Sequence, residues 1–266
     1  MHKLNFAYQT LCWLNYPPRR YNVDEVIKDI KEAGFKGIEF GEQIQHFNRI
    51  PDFKGLMEKE GMAMASLSST ISYRVNDPLD ETKKRAEYGS KFGVKALMLC
   101  GGWGPEASSK SEELFVNLAA NMEKLGEYLS RFDMVGAFHP HMQTLVETYE
   151  DTGRLLTKMK YGQICLDFAH FSVVGSDPIG FFKEHIKRIA LIHIKDWVDD
   201  EASECCGRKG RFCELGEGRL DILSFLEEVR KAEYNGWVVL ELDSTTRTPL
   251  ESAKINFEFL HKNGYI

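Results

Sequence analysis

The chain has 266 residues, of which 43% are hydrophobic and 28% are charged, so it can bury a sizeable globular core. Its net charge is −6 at pH 7, and an acidic surface repels phosphate backbones and anionic lipids, so nucleic acid and membranes are poor partners. The first residues carry no long apolar run behind a basic start, and no stretch approaches about 18 consecutive apolar residues. We therefore expect a cytoplasmic protein whose six cysteines are reduced.

Short apolar runs recur along the chain, separated by segments with helical periodicity. Each run has the length expected of a strand that is buried on both faces. The eight predicted strands are Asn5–Tyr8, Gly37–Phe40, Ala63–Leu67, Ala96–Cys100, Val135–His139, Ile164–Asp167, Ala190–Ile194 and Val238–Leu242.

The segments between the strands predict amphipathic helices. In Val23–Ala33 the apolar residues recur at i, i+3, i+4 and i+7, and Gly34 provides a suitable end. The same pattern occurs in Glu113–Phe132 and in Leu220–Ala232. Alternating strands and helices predict parallel β-α-β units, and eight alternations favour a (β/α)8 TIM barrel that forms a single domain over residues 1–266. A doubly wound sheet would require a Gly-rich phosphate turn after an early strand, and the sequence has none.

Polar residues cluster at the predicted C-terminal ends of the strands, where such barrels carry their chemistry. Burying these groups without partners would cost several kcal/mol each, so a metal or a polar ligand is expected among them. Trp13, Trp103 and Trp197 also follow strands, where they could stack on a sugar or cyclitol ring or simply pack. The ionisable groups are Glu39 and Glu42, then His139, His141 and Glu147, then Asp167 and His170, then His193, Lys195 and Asp196, and finally Glu241 and Asp243.

Five segments, in order and at barrel spacing, resemble motifs of the sugar phosphate isomerase/epimerase superfamily, the xylose isomerase-like TIM barrels. The resemblance spans the whole chain. The segments are Gly34–Glu39 at the second strand, Leu166–His170 (similar to Leu-Asp-Thr-Gly-His), Ile192–Asp196 (similar to His-x-Lys-Asp), Gly216–Asp221 (similar to Gly-Glu/Asp-Gly-x-x-Asp) and Trp237–Glu241 at the last strand.

The resemblance implies a metal site whose ligands map to Asp167, His193 and Glu241. The fourth ligand is less clear, because epimerases of ketohexoses carry Glu-x-x-Asn-Arg after strand five. This chain instead has His139-Pro-His141-Met-Gln-Thr, which is closer to the His-His-His-Met-Gly-Thr of inosose dehydratases. We take Glu147 as the fourth ligand, so that His139 and His141 face substrate; alternatively, one of these histidines is the ligand.

Several of these residues also have a purely structural explanation. Thr144 and Glu147 have the spacing of a helix capping box, and Lys195 and Asp196 could form an ordinary surface pair. A loop with three thiols could bind zinc, but the spacing lacks a C-x2-C pair, so we favour loop cysteines without a metal. These thiols are Cys205, Cys206 and Cys213.

Three carboxylates and one imidazole suit one divalent ion such as Mn²⁺, Mg²⁺ or Co²⁺, and zinc remains an alternative. Such an ion polarises a carbonyl and stabilises the enediolate that forms when the α proton leaves. Glu147 or Glu241 could be the general base, and Lys195 or a histidine could be the acid. The predicted substrate contacts are His139, His141, His170, Trp13, Trp103 and Glu39.

Our first functional hypothesis is an isomerase or epimerase that acts on a keto sugar or a related polyol. The alternative is an inosose-type dehydratase that uses the same metal site. An apurinic endonuclease-like metal hydrolase and a non-catalytic sugar-binding barrel are weaker alternatives, since the former needs a basic face. The expected partner is a small-molecule sugar or cyclitol, and a homo-oligomer is compatible with the sequence.

Overall fold

The computed structural model describes residues 2–17, 22–41 and 44–266; Glu42 lies outside them. Eight of its strands form the main sheet, and all eight overlap the predicted runs. They are β1 (Asn5–Gln9), β2 (Gly37–Phe40), β3 (Ala63–Ile71), β4 (Ala96–Gly101), β5 (Val135–His139), β6 (Gln163–Asp167), β7 (Ile189–Ile194) and, after four short strands, β12 (Trp237–Leu240).

The main sheet closes on itself in the order β1-β12-β7-β6-β5-β4-β3-β2. Neighbouring strands run parallel; Tyr8, for example, lies opposite both Leu240 and Ile38. This closed ring with helices between its strands confirms the predicted (β/α)8 TIM barrel and excludes a doubly wound sheet.

The helices between the strands largely follow the predicted apolar stripes. None in the described part of the chain is long and apolar enough to cross a membrane. The helices are α1 (Leu11–Asn15), α2 (Val23–Ala33), α3 (Ile44–Phe47), α4 (Phe53–Glu60), α5 (Asp80–Ser90), α6 (Glu112–Leu129), α7 (Tyr149–Leu156), α8 (Phe168–Val173), α9 (Pro178–His185), α10 (Ile222–Lys231) and α11 (Pro249–Lys262).

Helix ends are where the predictions needed adjustment. Helix α2 has the predicted bounds, and Gly34 ends it with φ of 108°, a left-handed conformation that favours glycine. The predicted Glu113–Phe132 helix stops at Leu129 and continues as a 3₁₀ turn. Helix α10 begins two residues later than predicted, because the Asp221 side chain accepts a hydrogen bond from the Ser224 amide and caps the helix there.

The chain divides into two compact units. The first runs to Leu67 and resumes at His193; within it, Ala7, Ala65 and Val239 form a buried cluster that Trp237 covers. The second comprises Ser68–Ile192, and its buried side chains include those of β4 to β6 and of α6.

The segment between β7 and α10 forms two small antiparallel ribbons that the sequence patterns did not predict. β8 (Asp196–Val198) pairs with β11 (Arg211–Cys213), and β9 (Glu204–Cys205) pairs with β10 (Arg208–Lys209). These strands are only two or three residues long, too short to show the alternation of apolar and polar residues that predicts a strand.

Asp196 holds the loop that follows these ribbons. Its buried carboxylate accepts hydrogen bonds from four backbone N–H groups: those of Trp197, Gly216, Gly218 and Leu220. The interpretation of Lys195 and Asp196 as a surface pair is therefore wrong. Asp196 is instead an internal acceptor for donors that would otherwise be buried without partners.

We expect Asp196→Asn to lower the free energy of unfolding by about 3 kcal/mol, because the new amide NH2 group would face backbone N–H donors that lose a charged acceptor. Urea unfolding measures this change. Asp221→Asn is the matched control in the same loop: asparagine caps a helix as well as aspartate, so stability should change by less than about 0.5 kcal/mol. Equal effects of the two substitutions would contradict the role given to Asp196.

Candidate metal centre and active site

A buried histidine on β7 lies between two carboxylates at the ends of neighbouring strands. His193 Nε2 lies 3.1 Å from Glu39 Oε1, and His193 Nδ1 lies 3.2 Å from Glu241 Oε2. The side chains of His193 and Glu39 are fully buried, and Glu241, which directly follows β12, is almost so. Each imidazole nitrogen therefore lies close to a carboxylate oxygen.

Gln9, at the end of β1, connects the same two carboxylates. Its amide nitrogen donates to Glu39 Oε1 at 3.1 Å and to Glu241 Oε1 at 2.8 Å. The side-chain oxygen of Gln9 and the Oε2 atom of Glu39 are buried and have no hydrogen-bond partner within the described residues. The sequence analysis missed Gln9, although its polar side chain at a strand end has the same position as those that were selected.

Lys195 is buried next to this group. Its ammonium forms an ion pair with Glu241 Oε2 and lies 4.8 Å from the centre of the Phe212 ring on β11. An ammonium over an aromatic face gains a cation–π contact, which partly offsets the loss of its hydration. Lys195 is thus held in the interior by a carboxylate and a ring.

Three histidines and Asp167 form a second cluster at the ends of β5 and β6. His139 Nε2 lies 3.2 Å from Asp167 Oδ2, and His170 Nε2 lies 3.8 Å from the same oxygen. The other oxygen of Asp167 accepts the His170 backbone N–H at 2.8 Å, so this carboxylate caps α8 and is held rigidly. Asp167, His139 and His170 are all buried.

His141 and Trp103 extend the cluster toward solvent. The His141 ring lies 4.0 Å from that of His170 and 5.5 Å from Trp103, measured between ring centres. His141 Nδ1 donates to the Met142 carbonyl at 2.8 Å, so the neutral ring carries its lone pair on Nε2. Trp103 is 48% exposed and His141 is half-buried, so this end of the cluster is accessible.

Unlike the other three predicted ligands, Glu147 is only half-buried. Its carboxylate accepts the Gln143 backbone N–H at 3.2 Å in the loop after β5. The predicted capping box of Thr144 and Glu147 is wrong: helix α7 is capped by Thr148, whose side chain and that of Asp151 bond reciprocally. Thr144 instead donates to two carbonyls of its own loop.

The remaining predicted contacts differ in accessibility. Trp13 is half-buried, its indole N–H donates to Asp29 Oδ2 at 2.8 Å, and its ring packs edge-on against Tyr8. Trp197 is fully buried against Phe212. Of the tryptophans expected near the substrate, Trp103 is therefore the exposed one.

Four buried side chains can together offer one donor atom each to a metal ion. These atoms lie within 4.8 Å of one another, and the residues are His139, Asp167, His193 and Glu241. The group contains three of the four predicted ligands together with His139, one of the two histidines that the sequence left as alternatives to Glu147.

The sequence and the fold both match known proteins. Residues 27–263 match the xylose isomerase-like TIM barrel family. An inosose dehydratase from Geobacillus kaustophilus is 24% identical in an alignment 272 positions long, gaps included, that covers 91% of this chain and 87% of that protein.

Two solved structures share the fold. IolI protein with a bound zinc atom superposes with a TM-score of 0.80 at 17% identity and 98% coverage of both chains. The 3-keto-D-glucoside 4-epimerase YcjR from E. coli gives a TM-score of 0.77 at 19% identity, covering 98% of this chain and 100% of that one. Because the family match extends over most of its length, the chain belongs to the xylose isomerase-like TIM barrel family.

Proposed function

We propose that this protein is a divalent-metal-dependent dehydratase that removes water from a cyclic polyhydroxy ketone. The observation that carries the proposal is the buried four-donor group together with the histidine cluster that leads from it toward solvent. The curated relatives named inosose dehydratase support a cyclitol ketone as the substrate class.

The charges of the site fit a divalent cation. Glu39, Asp167 and Glu241 are buried carboxylates, and Lys195 is the buried ammonium among them. Ionised, and with the neighbouring histidines neutral, these groups leave two uncompensated negative charges, a state that costs several kcal/mol in a protein interior. One oxygen each of Gln9 and Glu39 is buried with no hydrogen-bond partner among the described residues, which adds to this cost. A divalent ion would balance the charge.

The donor set bears on which ion is preferred. With His139 as the fourth donor, the set is two imidazoles and two carboxylates rather than the predicted one imidazole and three carboxylates. Imidazole nitrogens favour Zn²⁺ and Co²⁺ over Mg²⁺, and Mn²⁺ accepts such mixed sets. We therefore propose one Mn²⁺, Co²⁺ or Zn²⁺ ion. When bound, it supplies polarisation of the ketone oxygen, which acidifies the adjacent C–H bond.

Dehydration also needs a base for the α proton and an acid for the leaving hydroxyl. His141 is the most accessible of the three clustered histidines, and its Nδ1–H bond to Met142 leaves Nε2 as the basic atom. We assign His141 as the base and Lys195 as the acid. Glu241, an earlier candidate base, has both oxygens engaged, by Gln9 and by Lys195, which reduces its basicity.

Epimerisation is the second candidate. It uses the same proton abstraction but returns the proton to carbon rather than expelling a hydroxyl. The presence of two separate proton-transfer groups, His141 and Lys195, favours it, since inversion at carbon requires a donor other than the base.

Metal uptake tests the ligand set. After chelator treatment and dialysis against Mn²⁺, Co²⁺ or Zn²⁺, we expect one ion per chain by elemental analysis. Asp167→Asn and Glu241→Gln should weaken binding by at least about 100-fold, because each removes a charged ligand. Glu147→Gln is the matched control and should bind as the unmodified protein does. Loss of the ion in Glu147→Gln alone would return Glu147 to the ligand set.

Glu39 was expected to contact substrate, but its buried contacts with His193 and Gln9 indicate that it orients a ligand. We expect Glu39→Gln to lower metal affinity by about 10- to 100-fold without changing the stoichiometry. Isothermal titration with the metal measures this. Glu184→Gln, at an exposed carboxylate bonded to Tyr149, is the control. Unchanged affinity in Glu39→Gln would remove the orienting role.

Product analysis in D2O separates the two reactions. With an inosose as substrate we expect a product lighter by one water, and His141→Asn should lower kcat at least about 100-fold while metal binding persists. A product that keeps all its oxygens and is about one dalton heavier, because it carries one solvent deuterium on carbon, would instead establish epimerisation. Binding of the ketone by the metal-loaded protein without any conversion would favour a sugar-binding barrel over both.

A further inference from the structure

Two adjacent cysteines occupy the tip of the β9–β10 ribbon, outside the candidate metal centre. Cys205 is the last residue of β9, and Cys206 and Gly207 form the two-residue turn, both with positive φ (50° and 73°). The two Sγ atoms lie 3.8 Å apart, with the Cys205 thiol donating to Cys206. Both side chains are half-buried and all six cysteines are free thiols.

The charges around the pair make one thiol acidic. The hydrogen bond from Cys205, aided by the positive charges of Lys195 and Arg208, lowers the pKa of Cys206 to about 7, although burial and Asp243 oppose this. The same hydrogen bond raises the pKa of Cys205, because its proton is held between the sulfur atoms. At neutral pH the pair is therefore a reactive thiolate beside a protonated thiol.

We propose that Cys205 and Cys206 form a redox-modification site at which a peroxide converts the dithiol into a vicinal disulfide. The Cys206 thiolate attacks one peroxide oxygen and the O–O bond breaks, which gives the sulfenic acid of Cys206 and a hydroxide that takes a proton from solvent to become water. Cys205 sulfur then attacks the Cys206 sulfur, its proton leaves with the departing hydroxide as a second water, and the S–S bond forms. Two thiols lose two electrons, and one peroxide gains them.

The local geometry makes this modification both accessible and reversible. Cys206 is only half-buried, and its neighbour Cys205 lines a cavity of about 250 Å³, large enough to admit a peroxide, that also includes Phe212, Asp243 and Thr245. Adjacent Cα atoms are only about 3.8 Å apart, below the usual span of a disulfide, so the bond is strained and easily reduced. The positive charge of Lys195 favours the Cys206 thiolate, and the same ammonium forms an ion pair with Glu241.

Intact-mass analysis of the full chain treated with one equivalent of hydrogen peroxide tests the proposal. We expect the loss of two hydrogens, located by peptide mapping to Cys205 and Cys206 and reversed by dithiothreitol. Cys205→Ser should stop at the sulfenic acid, which dimedone traps at Cys206. Cys206→Ser should slow the oxidation at pH 7 by at least about tenfold, because the thiolate is lost. Cys213→Ser, at a buried cysteine, should react as the unmodified protein does.

Circular dichroism of the serine variants controls for folding. Oxidation that maps to other cysteines, or that proceeds at the same rate in Cys206→Ser, would overturn the proposal. Protection of the pair by Zn²⁺ in the unmodified protein, with no disulfide formed after the ion is removed, would likewise overturn it in favour of a thiolate metal site. Because no step uses the four-donor group, failure here leaves the proposed dehydratase untouched.

Discussion

The placement of His193 between two buried carboxylates is the constraint on which the rest of the site depends. Glu39 and Glu241 carry like charges in the interior, and the groups that separate and bridge them are one imidazole, one amide from Gln9 and one ammonium from Lys195. Such an arrangement is costly unless every partner is held in place. The closed sheet provides this, because each of these side chains lies on or directly after one of its strands.

The site residues at the strand ends could be predicted because they are polar residues within or directly after apolar runs. Asp167, His193 and Glu241 each stand at the end of such a run, and parallel strands in a barrel bring those ends together. Gln9 was missed since an uncharged amide at a strand end has no titratable chemistry to draw attention to it. Its role depends on which two carboxylates flank it, and only the order of strands around the barrel determines that.

The conformation of the loop after β5 could not be predicted from the sequence. His139 and Glu147 are both plausible ligands by composition, and the choice between them depends on the backbone path. Gln143 adopts φ of 59°, and Thr148 rather than Thr144 begins helix α7, so the loop turns back on itself and Glu147 bonds to it. A single sequence does not reveal that Gln143 adopts a left-handed conformation, which is uncommon outside glycine. It also does not reveal that the helix is capped by Thr148, four residues after the predicted cap.

Lys195 and Asp196, which follow β7, connect the candidate metal centre with the two short antiparallel ribbons. Lys195 and Asp196 are neighbours with different roles: the ammonium pairs with Glu241, while the carboxylate accepts hydrogen bonds from three backbone N–H groups of the Gly216–Leu220 loop. Phe212, which packs on the Lys195 ammonium, belongs to the ribbon strand that pairs with the strand beginning at Asp196. One residue separates strand β11 from β10, so a change at the cysteine pair of the β9–β10 ribbon can reach Lys195 through the packing of Phe212 as well as through charge.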